Sequence, residues 1–201
     1  TQPAQPRNDS GGPSPAATVP LTFTFATLNV CKAGKHSPSL IDLGLLMEGS
    51  HPDCLLLTET PYASNSATLC SFLKNKGYTV SFRPTEAPTP DQSYLPPAAR
   101  LTQDRTPTGG GCLIAYRSDA PWAPFAKPWL PPKKPYWPHL AGLDIHLPGL
   151  PQVRLLACYL PQDLPTYTQC CRYLSTMRRS LPDAVILLGG DMQSPWDAVS
   201  A

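Results

Sequence analysis

No apolar run in this 201-residue chain approaches the roughly 18 residues needed to cross a bilayer, which excludes a membrane-spanning helix. The opening Thr-Gln-Pro-Ala-Gln-Pro has no initiator Met and no basic-then-apolar secretory signal, so the chain is expected to be part of something longer. Cys-x-x-Cys is absent as well. The seven cysteines are an odd number, and Cys54, Cys112 and Cys158 lie inside apolar runs, where a thiol acts as a small hydrophobe. That usage predicts a reducing compartment, nuclear or cytoplasmic, with neither a zinc site nor a disulfide framework. An excess of charge is also missing. Sixteen basic and fourteen acidic residues leave +2, too little for a polyanion binder that works by bulk field.

Proline is what the chain has in excess: 27 residues, of which 18 fall in residues 1–20 and 84–138. The rest of the sequence is ordinary in proline, and 41% hydrophobic content supplies one real core. Residues 1–20 are Pro, Ser, Gly and Ala with little to bury, and they read as a disordered leader. Residues 21–201 read as one domain carrying a Pro-rich inserted region at about 84–138. Within that region Trp122, Phe125, Trp129, Tyr136 and Trp137 interleave with Lys127, Lys133 and Lys134. Aromatic faces and cations suit nucleic acid; packing onto the protein's own sheet is the first reading.

The remaining pattern alternates strands and helices. Leu21–Val30 has the period of two that marks a strand, and residues 39–48 form a helix ended at Gly49. Cys54–Thr58 is a short continuous apolar run, the form of a fully buried strand. A helix over 66–76 and strands at 78–82, 111–117, 140–147 and 153–160 follow. Residues 165–181 repeat at helical spacing, and Ala184–Leu188 reads as a second fully buried strand. Residues 21–59 and 153–191 share an order of strand, helix, strand and acid, a faint internal duplication. The whole predicts a mixed α/β protein with sheets inside and helices outside.

Four polar residues stand where strands run out: Asn29, Glu59, Tyr159 and Asp191. A rigid sheet holds such groups at a mouth, which suits a site. Taken singly, Asn29 reads equally as a turn cap, Glu59 as a surface charge, Tyr159 as a core ring and Asp191 as a turn residue.

Their context is more specific. The segments Thr27-Leu-Asn29, Leu55-Leu-Leu-Thr-Glu59-Thr, Gly109-Gly-Gly-Cys-Leu-Ile-Ala-Tyr116, Leu155-Leu-Ala-Cys-Tyr159-Leu-Pro and Ile186-Leu-Leu-Gly-Gly-Asp191-Met-Gln193-Ser-Pro-Trp-Asp occur in that order. Together they resemble the endonuclease/exonuclease/phosphatase family, which includes apurinic endonucleases, and most closely the endonuclease domains of non-LTR retrotransposons. The resemblance spans roughly residues 22–198. It implies a DNase I-like fold: a two-sheet β-sandwich flanked by helices, with a phosphate-cleaving site at one end. It further implies Glu59 and Asn29 as holders of Mg²⁺, with Mn²⁺ as a substitute, Tyr159 as a contact to the scissile phosphate, and Asp191 as the group that orients or deprotonates the attacking water. The implied partners are DNA and further domains of a longer polyprotein, a reverse transcriptase among them. Lys32, Lys35, Lys133 and Lys134 are candidate nucleic-acid contacts.

Two departures from the family pattern stand out. Gln193 occupies the position of an Asn; it keeps the amide and adds a methylene, and about 1 Å of misplacement can cost about 10²-fold in rate. The Ser-Asp-His that ends the family's site is not reached before Ala201, so the sheet is expected to be C-terminally incomplete and this chain to have little nuclease activity. None of His36, His51, His139 or His146 matches the missing base, and His139 and His146 are expected to be structural. Two alternatives stay open: a phosphatase or phosphodiesterase of another branch of the fold, and a non-catalytic nucleic-acid- or protein-binding remnant.

Overall fold

A computed structural model describes residues 22–30, 38–61, 66–81, 109–129, 131, 139–160 and 164–192. The leader, Lys32, Lys35, Lys133, Lys134 and Gln193 lie outside these residues. In chain order the elements are β1 (Phe25–Asn29), α1 (Pro38–Ser50), β2 (Cys54–Pro61), α2 (Ala67–Asn75), β3 (Tyr78–Val80) and β4 (Gly109–Arg117). They continue with β5 (Ala126–Trp129), β6 (Leu140–Ile145), β7 (Val153–Tyr159), α3 (Leu164–Ser180) and β8 (Val185–Asp191).

The strands form two sheets of four, ordered β1-β2-β4-β3 and β5-β6-β7-β8. Each sheet contains one parallel pair, β1 with β2 and β7 with β8, and its other pairings are antiparallel. A parallel pair needs a crossover, and α1 and α3 are those crossovers. The expected two-sheet sandwich flanked by helices is what the chain builds.

Alternation along β2 explains the layers. Cys54 and Leu56 point into the core between the sheets, with Ile114, Leu143, Leu155 and Ala157. Leu55 and Leu57 point the other way, into a second core with Leu43 and Met47 of α1 and Leu69 and Leu73 of α2. A strand with apolar partners on both faces has no need of polar alternation, hence the unbroken run. Each fully buried Leu contributes about 1.5–3 kcal/mol. Beneath α3 a smaller core joins Leu140, Cys158, Leu160 and Cys170.

The second apolar run behaves differently. Read as fully buried, it becomes β8, in which Val185 is 47% and Leu188 41% exposed. Two causes are visible. Among the described residues β8 ends its sheet, with a strand on one side only, and α3 packs over Leu140 and Cys158 of its neighbours.

Two tryptophans of the Pro-rich stretch pack onto the protein itself. Trp122 is buried against Phe23 and Tyr116, with ring centroids 6.0 and 5.5 Å away. Trp129, on β5, stacks on Tyr173 of α3 at 6.3 Å and lies under the Arg154 guanidinium at 4.6 Å. Arg154 also makes a two-pronged pair with Asp144 across β6 and β7, both bonds 2.6 Å. Gly142 makes the room, since a Cβ there would stand 2.3 Å from the Trp129 ring. The short strand β5, with Pro128 inside it, was not anticipated; proline is tolerated there because β5 ends its sheet among the described residues. Among the described residues no helix is long and apolar enough to cross a membrane.

Candidate active site

All four strand-end residues come out at one end of the sandwich. Asn29 closes β1 and lies opposite Thr58. Tyr159 and Asp191 close β7 and β8 and lie opposite each other. The backbone N–H of Leu160 donates to the Asp191 carbonyl at 3.0 Å, which ties the two strand ends together.

Glu59 is delivered by an irregularity. Thr58 faces Cys112 and Thr60 faces Gly111, so Glu59 is an extra residue in β2, a bulge. Its φ is +50°, in the left-handed region, at a cost of about 1–2 kcal/mol for a residue with a Cβ. Bulges re-aim side chains, and strain of this kind collects at functional sites. Nothing in the local sequence announces it, because the left-handed position is held by Glu and not by Gly.

Asp191 is brought in by the opposite device. A Cβ on Gly189 would stand 2.7 Å from Leu56 Cδ1, and one on Gly190 would stand 1.9 Å from the Cys158 carbonyl oxygen. The φ of Gly190 is +144°. Gly189 therefore lets the end of β8 press against the facing sheet, and Gly190 lets it close on the β7 backbone, where residues with side chains would hold it off. The turn reading of Gly-Gly-Asp gives way to a strand end.

The amide of Asn29 joins the two carboxylates. Its Nδ2 donates to Glu59 Oε1 at 2.9 Å and to Asp191 Oδ2 at 2.9 Å. One NH₂ thus binds acids from both sheets, and two carboxylate oxygens converge on a single point. Tyr159 stands half-buried beside them. Burial first, then the nearby Glu59 and Asp191 charges, raise its phenol above the usual tyrosine range. It keeps its proton at neutral pH and is a hydrogen-bond donor. A cleft of about 290 Å³ opens between β1 and β8, lined by Thr27, Asn29, Thr58, Gly190, Asp191 and Met192. The Thr58 and Thr60 hydroxyls, on either side of Glu59, are buried without a hydrogen-bond partner.

A larger hollow of about 510 Å³ lies at the other end of the first sheet, around Glu48, Lys76, Tyr78, Arg117 and Asp119. Its charges satisfy one another, Lys76 with Glu48 at 2.8 Å and Arg117 with Asp119 at 2.7 Å. The smaller cleft is the one with converging polar groups.

Histidine 139 is the residue that sequence reasoning set aside as structural. Its ring lies 5.8 Å from that of Tyr159, tilted by 34°. The β6–β7 register pairs Leu140 with Cys158, so His139 continues it opposite Tyr159; only the strand pairing could have revealed this. His146 is exposed. Of the α3 arginines, Arg178 caps the helix end by donating to the carbonyls of Leu181 and Pro182 at 3.0 and 3.1 Å.

Neither family models nor curated protein sequences match the chain. Solved structures do. The endonuclease domain of TRAS1, a telomere-specific non-LTR retrotransposon, superposes with a TM-score of 0.51 at 14% identity, covering 86% of this chain and 61% of that one. A humanized D. rerio TDP2 gives 0.53 at 13% identity, covering 89% and 66%. This chain has the endonuclease/exonuclease/phosphatase fold. ANGEL2, a 2′,3′-cyclic phosphatase, shares that fold with a TM-score of 0.51 at 12% identity, covering 86% of this chain and 53% of its own. The chain spans about three-fifths of the TRAS1 domain's length.

Fit to a divalent ion can be judged from the donors. Among the described residues no three or more His, Cys, Asp or Glu form a metal-holding group. Mg²⁺ does not need one, because it is usually held by one or two carboxylates and keeps several waters. Glu59 and Asp191 bring carboxylate oxygens from the two sheets to one mouth, held together there by the Asn29 amide nitrogen, and one or two carboxylates at an open site are the donor set that suits a hydrated ion of that kind.

Proposed function

We propose that this chain carries the phosphodiester-cleaving site of a metal-dependent DNA endonuclease, the target-nicking domain of a non-LTR retrotransposon protein. The observation that supports it most is the Asn29 amide bridging Glu59 and Asp191 across the two sheets. The fold shared with the TRAS1 endonuclease domain, TDP2 and ANGEL2 supports a phosphodiester-cleaving enzyme; the retrotransposon branch is supported by the motif wordings around Glu59 and Gly111.

In this reading Glu59, with Asn29, holds Mg²⁺, which when bound neutralises charge on the phosphorane and the leaving oxygen. Asp191 accepts the proton of the attacking water or orients it. Tyr159, kept protonated by burial and by the two acids, donates a hydrogen bond to a scissile-phosphate oxygen where charge develops. Gln193, standing where the family has Asn, takes over the phosphate contact of that Asn in a weakened or shifted form because of its extra methylene. Lys32, Lys35, Lys133 and Lys134 contact the DNA backbone, and their effect weakens with salt. Cleavage leaves a 3′ hydroxyl that primes a reverse transcriptase elsewhere in the longer protein.

The test, made on a version of the chain extended through the Ser-Asp-His that the family pattern calls for, is conversion of supercoiled plasmid to nicked circle in Mg²⁺, set against phosphate release from inositol phosphates. One nick relaxes a whole plasmid, so even slow cleavage is read. Plasmid nicking that disappears in Glu59→Ala while DNA binding persists is the expected result. Hydrolysis of inositol phosphates alone would move the chain to the phosphatase branch. DNA binding with no nicking by the unmutated protein would make it a binder.

A further inference from the structure

The polar end of the second sheet is wider than the four residues taken from the sequence. Register pairs Tyr159 with Asp191 on one side, and continuation of the β6–β7 ladder sets His139 on the other. His139, immediately ahead of β6, therefore lines up with Tyr159 and Asp191 at the ends of β7 and β8, neighbouring strands standing about 4.8 Å apart. All three follow the inward parity of Ala141 and Leu143 on β6 and of Leu155 and Ala157 on β7.

His139 is placed through both its ring and its main chain. Its imidazole lies in tilted contact with the Tyr159 phenol at 5.8 Å. Its main-chain carbonyl accepts the Cys112 thiol at 3.2 Å, which anchors it to β4 of the other sheet. The phenol closes β7 and packs on one side against the core between the sheets. Asp191 on the other flank is engaged by the Asn29 amide. Of the described side chains, the His139 ring is the aromatic surface that confines the Tyr159 ring.

We propose that His139 is a positioning residue for Tyr159, holding the phenol in the orientation that presents its hydroxyl to a phosphate oxygen. The proposal rests on the reading of Tyr159 as a phosphate contact and adds a residue to it. His139 acts through Tyr159 and need not touch substrate.

The experiment uses the full chain labelled with fluorotyrosine, with the Tyr159 fluorine signal assigned by Tyr159→Phe, and a single-stranded deoxyoligonucleotide as the probe. His139→Ala is expected to shift and broaden the Tyr159 signal and leave the other tyrosine signals in place. His139→Phe, which restores a ring, is expected to return it. Oligonucleotide binding should weaken roughly two- to tenfold in His139→Ala, the range an aromatic pair can carry. The same substitution made on top of Tyr159→Phe should add nothing. An unmoved Tyr159 signal in His139→Ala, or effects of the two substitutions that simply add, would overturn the proposal. If His139→Ala moves the signal but neither variant changes binding, the ring contact stands and the phosphate reading of Tyr159 fails.

Discussion

The two crossover units, β1-α1-β2 and β7-α3-β8, do the same job by opposite backbone devices. Each is a parallel pair joined by a helix, and each presents an acid where its second strand runs out. In the first, the acid itself takes the awkward backbone, with Glu59 left-handed in a bulge. In the second, two glycines take it and Asp191 follows in the strand. The units also run in opposite senses. The first crosses from the end of its sheet to an inner strand, and the second from an inner strand to the end, among the described residues. The faint duplication seen in the sequence is therefore a likeness of element order and not of strand placement. Strain can sit on the functional residue or beside it, and the choice decides which substitutions are tolerated.

The largest test of that difference is Gly190→Ala. A Cβ 1.9 Å from the Cys158 carbonyl, at a φ of +144°, has nowhere to go without separating β7 from β8. A loss of more than about 4 kcal/mol is expected, read as collapse of the urea midpoint or failure to recover folded protein. A midpoint near that of the unmutated chain would mean that the close approach is not required.

A middle-sized effect should separate the two apolar runs. Leu56→Ala empties a fully buried position between the sheets and should cost about 3 kcal/mol. Leu188→Ala, at 41% exposure, should cost less than about 1 kcal/mol. Equal losses in paired denaturant titrations would show that β8 is as covered as β2.

The smallest effect has the opposite sign. Glu59→Gly removes a Cβ from a left-handed position and should raise stability by about 0.5–1 kcal/mol, the relief of strain less the added freedom of the unfolded chain. A higher urea midpoint with an unchanged slope is the expected reading. Destabilisation would mean that the hydrogen bond from Asn29 outweighs the strain.

Much of this protein was legible in its residues because local chemistry is local. The unbroken Cys54–Thr58 run and the 3.6-residue spacing of 165–181 read correctly as a strand and a helix, since burial faces and helical stripes are written at fixed periods. Asn29, Glu59, Tyr159 and Asp191 were legible as strand-end polar groups, and the structure brings all four together. β5 escaped notice because three of its neighbours in sequence are prolines; an end strand tolerates what an inner one does not. His139 was read as structural because its partner lies 20 residues on, across a register that no short window contains.

By itself, then, the sequence determined every described strand and helix except β5, which residues are apolar enough to build the core, and which polar groups stand at strand ends. Tertiary structure alone decided that β2 is enclosed while β8 is exposed, and that one amide joins acids 132 positions apart in the chain. It alone set a histidine against the tyrosine. Periodicity is a property of neighbours along the chain, whereas burial, strain and convergence depend on which strand lies alongside and how closely two sheets approach.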